Sequence, residues 1–366
     1  MGPQRHLVDK KLAKHADTTD IRRGVMRILY LSVLAAFIAS APGLGVSKAS
    51  AEVKEVRVIM SGGGSAESVE VGYGKPFTEK TGVKVTIESP TNLGKLRAMV
   101  GSGNITASLI ELTGPLLEQA RAFDLIEPLD WDAIDPDPIF DEARQPDALG
   151  FQYYSMILVQ NKDAKPVTSW QDFWNVKDFP GTRSLPDRAV YTLQIALLAD
   201  GVEPENLFPL DIDRAFESLE KIKDHISVWW STPAQAAQLL NDGEVEYTVA
   251  FSGRVTSLEN TTYSFNQGLL GLSYFTVPRG ADPAEKAMAM KLLHEMTVAK
   301  NQAVAAEIIS YTGASTELEA LLPQDRLGEY PTTSANKLVQ SLADDKWFFE
   351  NAELVERRWQ EFKLGL

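Results

Sequence analysis

The chain has 366 residues, no cysteine, and 36 Lys and Arg against 50 Asp and Glu, a formal net charge of −14. That acidic balance excludes nonspecific binding to nucleic acid or to an anionic membrane surface, and the missing cysteines exclude disulfides and thiolate metal sites. The length allows two core-forming lobes, whose stability must come from packing.

Arg27 opens a short basic region, 28–38 (ILYLSVLAAFI) is weakly polar to apolar, Pro42 and Gly43 break it, and Ala49-Ser50-Ala51 is a small-x-small cleavage site. This order of features reads as a secretory signal peptide. The apolar run is far shorter than the roughly 20 residues that span a bilayer. Residues 1–51 are therefore read as a signal peptide with an N-terminal extension, and the periplasm as the destination. Met26 is an alternative start, whereas the residues after Arg22-Arg23 give little support to a twin-arginine signal. Residues 1–51 hold eight basic and three acidic side chains, so the remainder carries a net charge of −19.

After the leader, 56–60 (VRVIM) reads as a buried strand and runs into Ser61-Gly62-Gly63-Gly64-Ser65. A helix towards Lys80 closes at Gly82, 83–87 (VKVTI) alternates as a strand, and Thr91 or Asn92 caps a helix through Val100. Residues 108–112 (SLIEL) form a third strand. The alternation predicts an α/β lobe with a largely parallel sheet. Further on, 151–159 (FQYYSMILV) is a strand, Ser169 caps a short helix, and 184–185 begins a second strand–helix series with a helix over 189–199. Asp211 or Asp213 caps the next helix, 228–230 is a strand, and Thr232-Pro233 places a cap before an N1 proline. Residues 246–251 are again a strand, and Asp282-Pro283 starts a long amphipathic helix through Met296.

Few residues suit catalysis. Beyond residue 51 there are two histidines, His225 and His294, and no GxxxxGK[ST], GxSxG or HExxH. His294 reads as a packing histidine, with no second metal ligand near it in sequence. Gly62-Gly63-Gly64 lacks the spacing of a nucleotide loop. The expectation is a non-enzymatic protein without metal or cofactor; a secreted α/β hydrolase or lyase is the remote alternative.

Several segments, in shared order, resemble the polyamine (spermidine/putrescine)-type branch of the periplasmic solute-binding proteins of ABC importers. They are 123–134 (FDLIEPLDWDAI), 168–183 (TSWQDFWNVKDFPGTR), 242–254 (DGEVEYTVAFSGR), 274–280 (YFTVPRG) followed by 311–313, and 346–359 (KWFFENAELVERRW). The resemblance implies a two-lobed, type II-like α/β fold with two crossing strands at the hinge, near 154–161 and 270–278, and a ligand cleft between the lobes. Lobe one is expected over 52–155 plus 279–330, lobe two over 156–278, and 331–366 as C-terminal helices lying back on lobe two. It also implies hinge closure around a small-molecule ligand, the membrane subunits of an ABC importer as partners, no nucleic acid, and a monomer.

In parallel sheets ligands sit beyond the carboxyl ends of the strands, which singles out Ser61, Gly63 and Gly64, and Glu111 with Thr113. The family's polyamine binders use aromatic walls for the cation, and here Tyr153, Trp230, Phe251 and Tyr274 are favoured over Tyr154, Trp229 and Phe275. The family's acidic ligands are missing. Matching the helix after residue 187 puts Arg188 and Tyr191 in their places, and Ser273 stands where the return crossing should be acidic. An arginine beside a helix start makes an anion site, unless it pairs with Asp187 as a surface residue. The expected solute thus carries a carboxylate and an amine, as an ω-amino acid such as γ-aminobutyrate does, with Glu111 as the ammonium partner. Arg254, or Arg183, offers a second cation, which keeps a small dianion open beside a polyamine.

Overall fold

The computed structural model describes residues 53–365; the expected signal peptide, its expected cleavage site and both candidate start residues lie outside them. Eight strands carry the architecture: β1 (Glu55–Ile59), β2 (Lys84–Glu88), β3 (Leu109–Thr113), β4 (Ala148–Asn161), β5 (Arg183–Pro186), β6 (Ile226–Trp230), β7 (Tyr247–Phe251) and β8 (Thr261–Pro278). They are hydrogen-bonded in the order β2-β1-β3-β8-β4-β7-β5-β6. The two outer groups, β2-β1-β3 and β7-β5-β6, are parallel. The long central strands β8 and β4 run antiparallel to each other and to the groups they join. The result is two α/β lobes linked by two crossing strands.

Helices follow the carboxyl ends of the parallel strands, as right-handed βαβ connection requires. α1 (Gly64–Val69) follows β1, α2 (Gly114–Ala122) follows β3, α3 (Ala189–Ala199) follows β5, and α4 (Ser252–Val255) follows β7. At the chain's end come α5 (Asp345–Glu350) and α6 (Ala352–Leu364). Several helix starts expected from the sequence are capped by the side chains that predict them. Asn92 accepts from the Lys95 N–H, Ser169 from Asp172, Asp211 from Arg214, Thr232 from Gln235, and Asp282 from Ala284 and Glu285. By contrast α2 and α3 begin with no side-chain cap.

The buried apolar side chains fall into separate clusters. One holds Trp170, Phe173, Leu193, Trp230 and Tyr247, and the C-terminal helices add Phe348, Val355, Trp359 and Phe362 to it. A second is built on Val58, Phe77, Phe151, Phe275 and Met290, and a third on Leu96, Leu112, Tyr153 and Leu272. His294 sets its ring nitrogen against the carbonyls of Ile134 and Asp135, at 3.0 and 2.8 Å, which is a packing role.

The crossing itself depends on a glycine. Gly271 lies opposite Tyr154 in the β8–β4 ladder, and a Cβ there would fall 2.4 Å from the Tyr154 ring. Gly271→Ala must displace that ring, and overpacking of this kind costs about 1–3 kcal/mol. Thermal unfolding should show the loss; a variant that melts with the wild type would mean the ring moves aside freely.

Candidate functional site

Pleating sends successive side chains of β4 to opposite faces, and this decides which tyrosine is useful. Tyr154 meets Phe251 at the end of β7, with ring centroids 5.6 Å apart, and Tyr311 at 6.2 Å. Phe251 in turn stands edge-on to Tyr191 of α3 at 5.8 Å. Two glycines make room: a Cβ on Gly253 would fall 2.7 Å from the Tyr311 ring, and one on Gly64 would touch Ile309 at 3.4 Å. Segments from both lobes thereby converge on an aromatic patch at the hinge. The surrounding protein displaces water from the Tyr154 and Tyr191 phenols, which also interact with each other, and pushes both pKa values above the ordinary 10. Both remain neutral hydroxyls at physiological pH.

A cavity of about 480 Å³ opens beside Tyr154, between the starts of α2 and α3, the β8 crossing and the C-terminal helices. That volume suits a small solute. Its wall includes Thr113, Arg188, Tyr191, Gly271 and Asp345. Asp187 does not pair with Arg188: its carboxylate accepts from the Trp359 indole N–H at 2.9 Å and lies 3.0 Å from the Lys363 ammonium. Arg188 is exposed and has no ion-pair partner among the described residues. Burial raises the Tyr191 phenol most, and the charges of Arg188, which lowers it, and Asp345, which raises it, act on it in opposite directions. Arg254 is likewise exposed, and acts on Tyr311. Among the described residues no group of three His, Asp or Glu side chains could hold a metal ion.

The expected site residues divide. Thr113, Arg188 and Tyr191 line the cavity, and Phe251 belongs to the aromatic patch beside it. Ser61, Gly63 and Gly64 form the β1–α1 turn, where Gly63 takes the left-handed φ of 69°. The Ser61 N–H donates to the Glu111 carboxylate at 2.5 Å, so buried Glu111 already has one oxygen engaged.

Three expected aromatics stand elsewhere. Tyr153 is fully buried on the opposite face from Tyr154, donating its hydroxyl to Glu142 at 2.9 Å. Trp230 is turned wholly into the lobe interior. Tyr274 lines a neighbouring cavity with Glu118 and Arg121. Arg183 is also withdrawn: its guanidinium is buried and donates to the carbonyls of Phe173, Gly181 and Phe179. The sequence reading ranked Tyr154 low and passed over Tyr311 and Asp345. For Tyr154 the alternation of β4 was the available signal; nothing in the sequence links Asp345 to α2.

Comparison with known proteins places the chain in a family. Residues 72–332 match the family model of the bacterial extracellular solute-binding proteins. The chain is 31% identical to the gamma-aminobutyric acid-binding protein of Pseudomonas aeruginosa over 85% of its own length and 91% of that relative. It is 24% identical to the spermidine/putrescine-binding periplasmic protein of Escherichia coli, covering 88% and 91%. Among solved structures, an ABC transporter substrate-binding protein from Bradyrhizobium japonicum superimposes with a TM-score of 0.79 at 32% identity, covering 84% of this chain and 99% of that one. A GABA receptor does so at 0.76 and 29%, covering 84% and 97%. The chain belongs to the bacterial extracellular solute-binding protein family.

Proposed function

We propose that the protein is an exported periplasmic receptor for a small ω-amino acid of the γ-aminobutyrate type, which it hands unchanged to the membrane subunits of an ABC importer. The observation that carries this reading is Arg188. It is a guanidinium without an ion-pair partner among the described residues, on the wall of a solute-sized cavity, beside the uncapped start of α3 and two neutral tyrosines. A planar fork of donors next to free backbone N–H groups is suited to a carboxylate. The ligands for which the relatives are named, gamma-aminobutyric acid and spermidine or putrescine, share an amine, and Arg188 adds the demand for an acid.

In this reading residues 52–155 with 279–330 and residues 156–278 close on the solute as two lobes, the C-terminal helices riding on the second, and the receptor acts as a monomer. Residues 1–51 serve as the export signal. A small dianion is the second reading, favoured by the exposed guanidinium of Arg254 near Tyr311.

A thermal-shift screen with γ-aminobutyrate, putrescine, spermidine and succinate separates these readings. A ligand at a hundredfold excess over Kd stabilises the folded state by about 2.7 kcal/mol. γ-Aminobutyrate is expected to raise the melting temperature most. A shift with the polyamines or succinate and none with γ-aminobutyrate would defeat the proposal.

A further inference from the structure

We infer that Asp345, the first residue of α5, is the partner of the solute's ammonium group, an assignment that rests on the amino-acid reading above. The other acids nearby are matched. Asp187 is held by Trp359 and Lys363, Glu111 accepts the Ser61 N–H, and Glu356 is exposed and accepts from Gln360. Asp345 has no hydrogen-bond or ion-pair partner among the described residues, although it is only partly accessible and lies on the cavity wall.

Its position is specified by α2. A Cβ on Gly114 would fall 1.6 Å from Asp345 Oδ2, so only glycine lets the carboxyl group rest there. From that place its charge reaches both Tyr154 and Tyr191, and Tyr191 also feels Arg188. The cavity wall therefore carries a cation, Arg188, and a carboxylate, Asp345, together with the phenols of Tyr154 and Tyr191, a set complementary to a zwitterion.

An enclosed carboxylate without a counter-ion is costly, and the molecule shows it. Burial, with the nearby charges of Glu118 on α2 and Asp344, pushes Asp345 up to about 7. The cations that line the two adjoining cavities are Arg188, Lys363, Arg121 and Lys346. A bound ammonium supplies the missing charge-assisted partner. Binding then favours the ionised form and releases a proton when the pH lies below 7. Affinity should rise towards tenfold per pH unit as pH increases up to 7 and level off above it.

The test is calorimetric titration of wild type and Asp345→Asn with γ-aminobutyrate, putrescine and succinate, at pH 6 and pH 8. Asp345→Ala serves as a second variant, and thermal melts check that each is folded. The expected result is a tenfold or greater loss of γ-aminobutyrate affinity at pH 8 in both variants, together with loss of the pH dependence. Wild-type γ-aminobutyrate affinity in the folded variants overturns the assignment and leaves the functional reading standing. Binding of putrescine but not γ-aminobutyrate, weakened by Asp345→Asn, sinks the functional reading while Asp345 keeps its role. Binding of succinate alone, or of none of the three, overturns both.

Discussion

Arg188→Ala is expected to weaken γ-aminobutyrate binding by roughly 30-fold or more. Truncating one partner of an enclosed, hydrogen-bonded charge pair costs about 2–5 kcal/mol, because the ligand's carboxylate is left desolvated without its guanidinium partner. Lys363 does not compensate, since its ammonium is already paired with Asp187. Arg188→Lys should bind poorly as well, since a point-charge ammonium does not reproduce the planar fork. The fold should survive both changes: Arg188 is exposed and makes no side-chain cap to α3. Calorimetric titration measures the effect, and unchanged affinity in both variants would place the carboxylate elsewhere, with Arg254 the next guanidinium to test.

Arg183→Ala should do the reverse, damaging the fold and leaving the site's chemistry alone. The guanidinium is 1% exposed, donates to the Phe173 carbonyl at 2.8 Å and the Gly181 carbonyl at 2.5 Å as well as to Phe179, and stacks 4.8 Å from the Tyr247 ring. Burial draws its pKa down, yet arginine stays charged at any ordinary pH. Removing it orphans three carbonyls and opens a void beside two aromatic rings, for an expected loss of about 3–5 kcal/mol. Chemical denaturation should register it as a lower midpoint, while ligand affinity at low temperature stays close to wild type. A variant as stable as the wild type would mean that water replaces the guanidinium.

Much of the fold was legible because its signals are local. Asn92, Ser169, Asp211, Thr232 and Asp282 are residues whose side chains turn back on their own helices, so neighbouring sequence suffices to find those starts. Arg188 and Tyr191 stand out because they interrupt a family pattern at a recognisable helix start, and both line the cavity. The site's remaining members depend on geometry of a different kind. Tyr153 and Tyr154 differ by one residue, and in a strand one residue exchanges the two faces, so only Tyr154 meets Phe251 and Tyr311. Asp345 reaches the cavity through a contact with Gly114, more than two hundred positions earlier, and no periodicity encodes such a meeting. Arg183 looks like any basic residue in a turn until the chain folds round it.

The placement of β8 has a consequence for how the chain acquires its shape. β3 reaches β4 and the strands beyond it only through β8, which begins at Thr261, and the apolar residues that complete the Trp170 cluster lie at Phe348, Val355, Trp359 and Phe362. None of the three clusters can close while the ribosome is still making the first two-thirds of the protein. Contacts of such long sequence separation form slowly, since loop closure must precede any reward from pairing. A polypeptide built this way stays unfolded for most of its synthesis, which is the condition in which a chain can be threaded through a narrow translocation pore.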